Sequence, residues 1–235
     1  LMGFPVIHIP KTIDNDYYGI PWTFGYWSAV DVMHKIMLNL KADAQATDSF
    51  FIAELMGRKA GWLTYAAAVA GEAILAISAE DIKDEFLDID ELVEKITDVI
   101  IQRENNKRPY GVIALAEGLA DKLPDELKPH TKDKHGNLIF SEAKISSLVS
   151  EKAKARYKEK TGLTVKITPK QIGYETRSGH PNAFDVVMGS MLGYAAAQFN
   201  LQNKFGVMAS VTDNFDIKPV PFSELIDPET MLTKL

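Results

Sequence analysis

Residues 10–16 read Pro-Lys-Thr-Ile-Asp-Asn-Asp and follow directly on the apolar run Phe4–Ile9. If that run is a buried strand, packing does not explain why it ends in two carboxylates, an amide, a hydroxyl and a lysine. Polar groups collected at the carboxyl end of such a strand usually face a ligand crevice. Asp14 and Asp16 stand two apart. If Asp14 takes a proton from a substrate hydroxyl, Asp16 is left to hold a hard cation such as Mg2+, which prefers carboxylate oxygen. Lys11 offers a mobile positive charge and Thr12 a hydroxyl donor for phosphate oxygens. The competing reading is a solvated turn rich in Asp and Asn.

Three further segments combine residue types of the same kind. Met56-Gly57-Arg58 lies between the strand-like run Phe50–Leu55 and the Ala-rich helical stretch Gly61–Gly71. Backbone NH groups at such a helix entrance form an anion site, to which Arg58 adds a bidentate donor; alternatively Gly57 serves only the turn. Glu117-Gly118 closes the apolar run Gly111–Ala116, where a carboxylate can accept from sugar hydroxyls or can simply be solvated. Tyr174 and Arg177 are three apart, and Lys170 is four residues upstream of Tyr174.

Pro10–Asp16, the segment from Met56 to Trp62, Glu117-Gly118 and Gly173–Arg177 occur in an order that resembles the phosphofructokinases, and more narrowly their pyrophosphate-dependent branch, over residues 1 to about 225. The resemblance implies Mg2+-dependent phosphoryl transfer from pyrophosphate to the 1-hydroxyl of fructose 6-phosphate, giving fructose 1,6-bisphosphate in a near-reversible step of glycolysis. On this resemblance Asp14 is the general base, Asp16 holds or orients Mg2+, Lys11 and Thr12 meet the donor, and Arg58 neutralises the transition state. Met56, Gly57 and Glu117 contact the sugar, while Tyr174, Arg177 and, as a weaker expectation, Lys170 take its 6-phosphate. Bacterial ATP enzymes usually carry Gly where this chain has Lys11, and commonly His where it has Tyr174. The alternatives are an ATP-dependent 6-phosphofructokinase and a non-catalytic sugar-phosphate-binding subunit. Two family arginines donated across a subunit interface are replaced here by Ser49 and Thr168, with Lys166 and Lys170 as possible substitutes. A homo-oligomer, at least a dimer, is still implied. The family's Gly-Gly-Asp donor loop does not occur, so the chain is expected to be the carboxyl-terminal portion of its enzyme.

The elements that must position these residues follow from the apolar pattern. Runs Phe4–Ile9, Phe50–Leu55, Ile74–Ile77 and Gly111–Ala116 predict buried parallel strands alternating with helices. Ile89, Leu92, Val93, Ile96, Val99 and Ile100 predict a helix over 89–103, with Asp88 and Glu91 as a capping box. A loop is expected over Asp121–Asn137. Ser141–Lys160 is expected to be a charged helix stopped by Gly162, its Lys152–Lys160 face solvated. Val165–Gln171 alternates, Phe184–Phe199 reads as a helix with Val187, Met188, Met191 and Leu192 inward, and Gly206–Val211 as a strand. The expected class is α/β, with three-layer parallel-sheet lobes of the phosphofructokinase type. Residues 1–28 and 178–235 would form part of the donor lobe and 29–177 most of the fructose 6-phosphate lobe, with the active site in the cleft. His8 is expected to be a hydrogen-bonded core residue, and His130 and His135, with no third ligand, do not make a zinc site.

Composition narrows the classes. Of 235 residues, 46% are hydrophobic and 25% charged, the balance of a soluble globular protein with a full core. A net charge of -6 argues against general nucleic-acid binding, which needs clustered Lys and Arg. With no Cys there is no disulfide or thiolate chemistry, and a cytoplasmic location is the simplest expectation. No apolar run approaches the roughly 20 residues that cross a membrane.

Overall fold

The computed structural model describes residues 4–58, 61–129, 131 and 138–229. The chain opens with three two-residue strands, β1 (Ile7–His8), β2 (Lys11–Thr12) and β3 (Phe24–Gly25), and then the long helix α1 (Tyr26–Ala46). There follow β4 (Phe50–Leu55), α2 (Trp62–Ala70), β5 (Leu75–Ile77), α3 (Ile89–Asn105) and β6 (Gly111–Ala116). The remainder is α4 (Ile145–Thr161), β7 (Ile167–Ile172), α5 (Ala183–Leu201), β8 (Val207–Val211), β9 (Ile217–Pro221) and the one-turn α6 (Phe222–Leu225). Two compact units result, residues 30–178 and residues 1–29 with 179–235, the first boundary falling inside α1.

The unit of residues 30–178 is built on a parallel sheet of order β5-β6-β4-β7. All six residues of β4 and all six of β6 are buried. Such near-continuous apolar runs, broken in β4 only by Glu54, suit parallel strands covered on both faces. Asp88 supplies its own half of the expected capping box at α3, its Oδ1 accepting from the NH groups of Asp90 (2.9 Å) and Glu91 (3.0 Å), while Glu91 does not return the bond. Leu92, Ile96 and Ile100 then reach one core with Ile52, Ile113 and Leu115 of the sheet. Each such side chain contributes about 1.5–3 kcal/mol on full burial. Helix α4 starts at Ile145, four residues later than its charge pattern suggests, because Phe140–Ala143 form a separate 3-10 turn and Lys144 turns to φ 48°. Its Lys152–Lys160 face is not merely solvated. Lys152 meets Asp90 of α3, Arg156 meets Glu94, and Lys160 meets Glu94 and Asp98. Hydrogen bonds from Arg156 and then Lys160 hold the Glu94 carboxyl down at about 2. Exposed pairs of this kind align two helices more than they stabilise them. Gly162, at φ 73°, ends α4 where expected.

The other unit carries the mixed sheet β1-β8-β9 and the parallel pair β2-β3. Here the expected strand 4–9 contracts to Ile7–His8. Phe4 is 73% exposed, and Val6 and Ile9 are exposed too. The reason is pairing: among the described residues β1 meets β8 alone, parallel, and only across this dipeptide. Helix α5 lays Met188, Leu192, Ala195 and Phe199 in a core with Met208 and Ala209 of β8. Val187, expected inward, is 48% exposed, since that stripe at helical spacing leaves it on the flank. Strand β9 pairs antiparallel with β8 and was not legible beforehand. His8 also departs from expectation. Its buried Nε2 has no hydrogen-bond partner among the described residues, its ring packs 5.6 Å from Tyr17, and burial lowers its pKa. His130 and His135 lie outside the described residues, as does most of the expected loop's second half. Among the described residues no helix is long and apolar enough to cross a membrane.

Candidate functional site

In the smaller unit the Lys11–Asp16 segment is a tied loop. Lys11 and Thr12 pair in register with Phe24 and Gly25. The Thr12 hydroxyl accepts from the Asp14 NH (3.1 Å) and donates to Asp14 Oδ2 (3.3 Å), so the carboxylate is folded back over the strand end. Asp14 is buried, only 6% exposed, whereas Asp16 is half-buried and Lys11 exposed. Asn15 takes the left-handed region at φ 54°, which Asn tolerates better than most residues. Its amide is a suture. Oδ1 accepts from the Thr23 NH (2.8 Å), Nδ2 donates to the Pro21 carbonyl (3.2 Å), and the Thr23 hydroxyl donates to the Thr12 carbonyl (2.9 Å). The Asp-Asn-Asp run is therefore a structured corner rather than a solvated turn.

Beneath this corner lies Asp185, fully buried at the start of α5. Its Oδ1 accepts from the Gly25 NH (2.9 Å) and its Oδ2 from the Ser28 NH (2.7 Å) and hydroxyl (2.5 Å). One carboxylate thus caps the amino end of α1, where unpaired NH groups and the helix dipole favour negative charge. The Ser28 hydroxyl in turn accepts from the Asn182 NH (3.0 Å), and Asn182 caps α5 through the Asp185 NH (2.9 Å). Sequence reading missed Asp185. The Asn182-x-x-Asp185 spacing marks a helix start, but its use at α1 joins residues some 160 positions apart.

In the larger unit the strand order gathers what the sequence scatters. Strands β6, β4 and β7 are adjacent and parallel, so their carboxyl ends deliver Glu117, Met56-Gly57-Arg58 and Tyr174–Arg177 to one edge of the sheet. The Glu117 Oε1 accepts from the NH groups of Gly57 (3.1 Å) and Arg58 (3.0 Å). Met56 is buried, and its sulfur accepts from Arg177 Nε (3.2 Å) and the Thr176 hydroxyl (3.6 Å). The Arg177 guanidinium sits 5.4 Å from the Tyr174 ring centroid, a cation–π contact that holds both side chains together while Tyr174 stays 73% exposed. Lys170 is exposed but opposite Ala53 in mid-strand, about 7 Å short of the strand's end at 3.3 Å per residue. Ser49, at a position where the resemblance expects Arg, is fully buried and shares a hydrogen bond with Thr47 (2.7 Å).

One physical expectation changes. Among the described residues of the Met56–Gly61 loop, the NH groups of Gly57, Arg58 and Gly61 do not stand open as an anion cradle, because carboxylates of the protein occupy them. Glu117 takes two, and Glu80 Oε1 takes the Gly61 NH at the start of α2 (2.6 Å). Glu54, buried on β4, does the same for α4, its Oε2 accepting from the Ser146 NH (3.0 Å) and hydroxyl (2.9 Å). Of these supports only the turn bearing Glu80 left a trace in the sequence, in the capping pattern Ser78-x-x-Asp81.

Fold and site together define an α/β protein whose charged and hydroxyl side chains collect at the carboxyl ends of parallel strands. The family model for phosphofructokinase matches residues 1–200, and the chain belongs to that family. It is 35% identical to a pyrophosphate–fructose 6-phosphate 1-phosphotransferase of Thermotoga maritima, over 98% of this chain and 57% of the relative. It is 34% identical to the protein of that name from Naegleria fowleri, over 97% and 55%, and 30% identical to an ATP-dependent 6-phosphofructokinase of Corynebacterium efficiens, over 95% and 60%. The chain thus spans somewhat over half the length of these relatives. A pyrophosphate-dependent phosphofructokinase structure from Nitrosospira multiformis superposes with a TM-score of 0.70 at 19% identity, over 99% of this chain and 58% of that one, and supports the fold.

Proposed function

We propose that this chain supplies the sugar-phosphate site and the acid–base corner of a Mg2+-dependent phosphotransferase acting between pyrophosphate and fructose 6-phosphate. The observation that carries the reading is the set at one sheet edge in the larger unit: Arg58, Glu117, Arg177 and Tyr174. Two guanidiniums, a phenol and a carboxylate suit a phosphorylated polyol, the cations for phosphate and the carboxylate for hydroxyls. Residues 29–177 are then the fructose 6-phosphate lobe, and residues 1–28 with 178–235 part of the donor lobe. Asp14 takes the proton of the sugar 1-hydroxyl as its oxygen bonds to phosphorus. The bridging P–O bond of pyrophosphate breaks and orthophosphate leaves. Thr12 orients the base through its two contacts with Asp14 and, with Lys11, meets the transferring phosphoryl group.

The carboxylates of this corner fit Mg2+, which takes one or two carboxylates and completes its shell with phosphate oxygens and water. No cluster of three or more His, Asp or Glu able to cage a metal occurs among the described residues. Asp16 would hold the ion, which when bound offsets charge on the phosphoryl oxygens. Pyrophosphate is favoured as donor by Lys11 and by the names of the relatives from Thermotoga and Naegleria. An ATP-dependent enzyme is the second reading, supported by the name of the Corynebacterium relative. Fructose 1,6-bisphosphate formation, followed with pyrophosphate and ATP in parallel and with the longest polypeptide that carries this sequence, decides between them. Turnover with pyrophosphate alone is expected. Turnover with ATP alone overturns the donor, and turnover with neither overturns catalysis.

A further inference from the structure

Arg58 follows a strand end and sits at φ 42°, a left-handed conformation that a non-glycine residue holds only when its surroundings fix it. One fixing point is Glu117, which ties down the NH groups of Gly57 and Arg58. The other described end of the loop is Gly61, whose NH donates to Glu80 Oε1 at 2.6 Å. Glu80 is itself held on both sides. Its Oε2 accepts from the buried Ser78 hydroxyl, and the neighbouring Asp81 accepts from the Tyr65 hydroxyl of α2 (2.6 Å) and from the Ser78 NH (2.9 Å). The fit at Gly61 is close: a Cβ there would lie 2.8 Å from Ser78 Cβ and 2.9 Å from Glu80 Oε2.

We propose that Glu80 is a positioning residue for Arg58. It anchors the far end of the Arg58 loop to the turn after β5, as Glu117 anchors the near end, so that the guanidinium is presented to an anion from a fixed backbone. Because the described backbone NH groups at both anchors are spent on carboxylates, Arg58 meets an anion through its guanidinium rather than its backbone. The proposal rests on the reading of Arg58 as an anion-binding side chain given under Proposed function, and it deepens that reading.

The test is a double-mutant cycle on the longest polypeptide that carries this sequence. Binding of fructose 6-phosphate is measured calorimetrically for wild type, Glu80→Ala, Arg58→Ala and the double variant, alongside Glu80→Gln, which keeps a carbonyl acceptor for Gly61. Expected is about a tenfold loss in Glu80→Ala, no further loss on adding it to Arg58→Ala, and recovery of most of the affinity in Glu80→Gln. Additive losses overturn the proposal, because Glu80 would then act independently of Arg58. Amide exchange gives a second readout that needs no ligand. Glu80→Ala is expected to speed exchange at Gly57 and Arg58 as well as at Gly61; acceleration confined to Gly61 overturns the proposal. If wild type binds no fructose 6-phosphate, the functional reading falls while the exchange arm still decides the role of Glu80.

Discussion

Replacing Asp185 by Asn removes half of a carboxylate from a site built for a whole one. The side chain is fully buried and receives three donors, the Gly25 NH on one oxygen and the Ser28 NH and hydroxyl on the other. An amide presents one oxygen. If it faces Ser28, its NH2 group points at the Gly25 NH, and a buried donor is left unmade against another donor. Hydrogen bonds to a charged acceptor contribute about 1.5–3 kcal/mol each, and a stranded buried donor costs about 1–3 kcal/mol. Asp185→Asn should therefore destabilise the protein by about 2–4 kcal/mol, a large share of the roughly 5–15 kcal/mol that holds a domain together. Ser28→Ala, which removes one donor to Asp185 and the acceptor of the Asn182 NH, should cost about 1–2 kcal/mol. Urea unfolding measures both. The three tryptophans divide between the units, Trp22 and Trp27 in one and Trp62 in the other, so a Trp62→Phe background makes fluorescence report the unit that holds Asp185. A loss below about 0.5 kcal/mol with an unchanged m-value would refute the argument, because a surface substitution does as little. Faster amide exchange at Gly25 and Ser28 should accompany the loss. Since Gly25 pairs with Thr12, the same change should loosen the corner that carries Asp14.

Two further outcomes follow from the same structure. Burial pushes the Tyr26 phenol up to about 12, and burial followed by the Asp81 hydrogen bond pushes Tyr65 up to about 12. The unfolded chain ionises these phenols near 10 while the folded one resists, so their stabilising effect is intact below about pH 10 and is lost as pH rises towards 12. Alkaline unfolding followed by phenolate absorbance should show this loss, and Tyr26→Phe should shrink it; an unchanged profile would count against buried Tyr26 as its source. Asp14→Asn in the longest polypeptide carrying this sequence should lower kcat by about 10²–10⁴-fold with little change in KM for fructose 6-phosphate. A near-normal kcat would remove Asp14 as the base.

Local pattern and residue type determined much of this protein. Near-continuous apolar runs without alternation marked β4 and β6 because parallel strands covered on both faces bury nearly every side chain. The stripe from Ile89 to Ile100 with Asp88 before it marked α3 because helical periodicity and a capping side chain are properties of neighbours along the chain. The polar residues at Pro10–Asp16, Met56–Arg58, Glu117 and Tyr174–Arg177 stood out because their chemistry is a poor way to fill a core. Pairing and long-range hydrogen bonding were decided only by the tertiary structure. The contraction of 4–9 to Ile7–His8 depends on which strand lies beside it, and the exposure of Val187 on which flank of α5 meets β8. Above all, nothing in the sequence marks Asp185, Glu54, Glu80 or Glu117 as an acceptor for backbone NH groups of another segment. The fold carries each to an amino end or loop where backbone NH groups lack partners within their own segment. Apart from Glu80, 19 residues beyond the NH it accepts, their partners lie 59 to 160 positions away, and no local pattern encodes a hydrogen bond of that range.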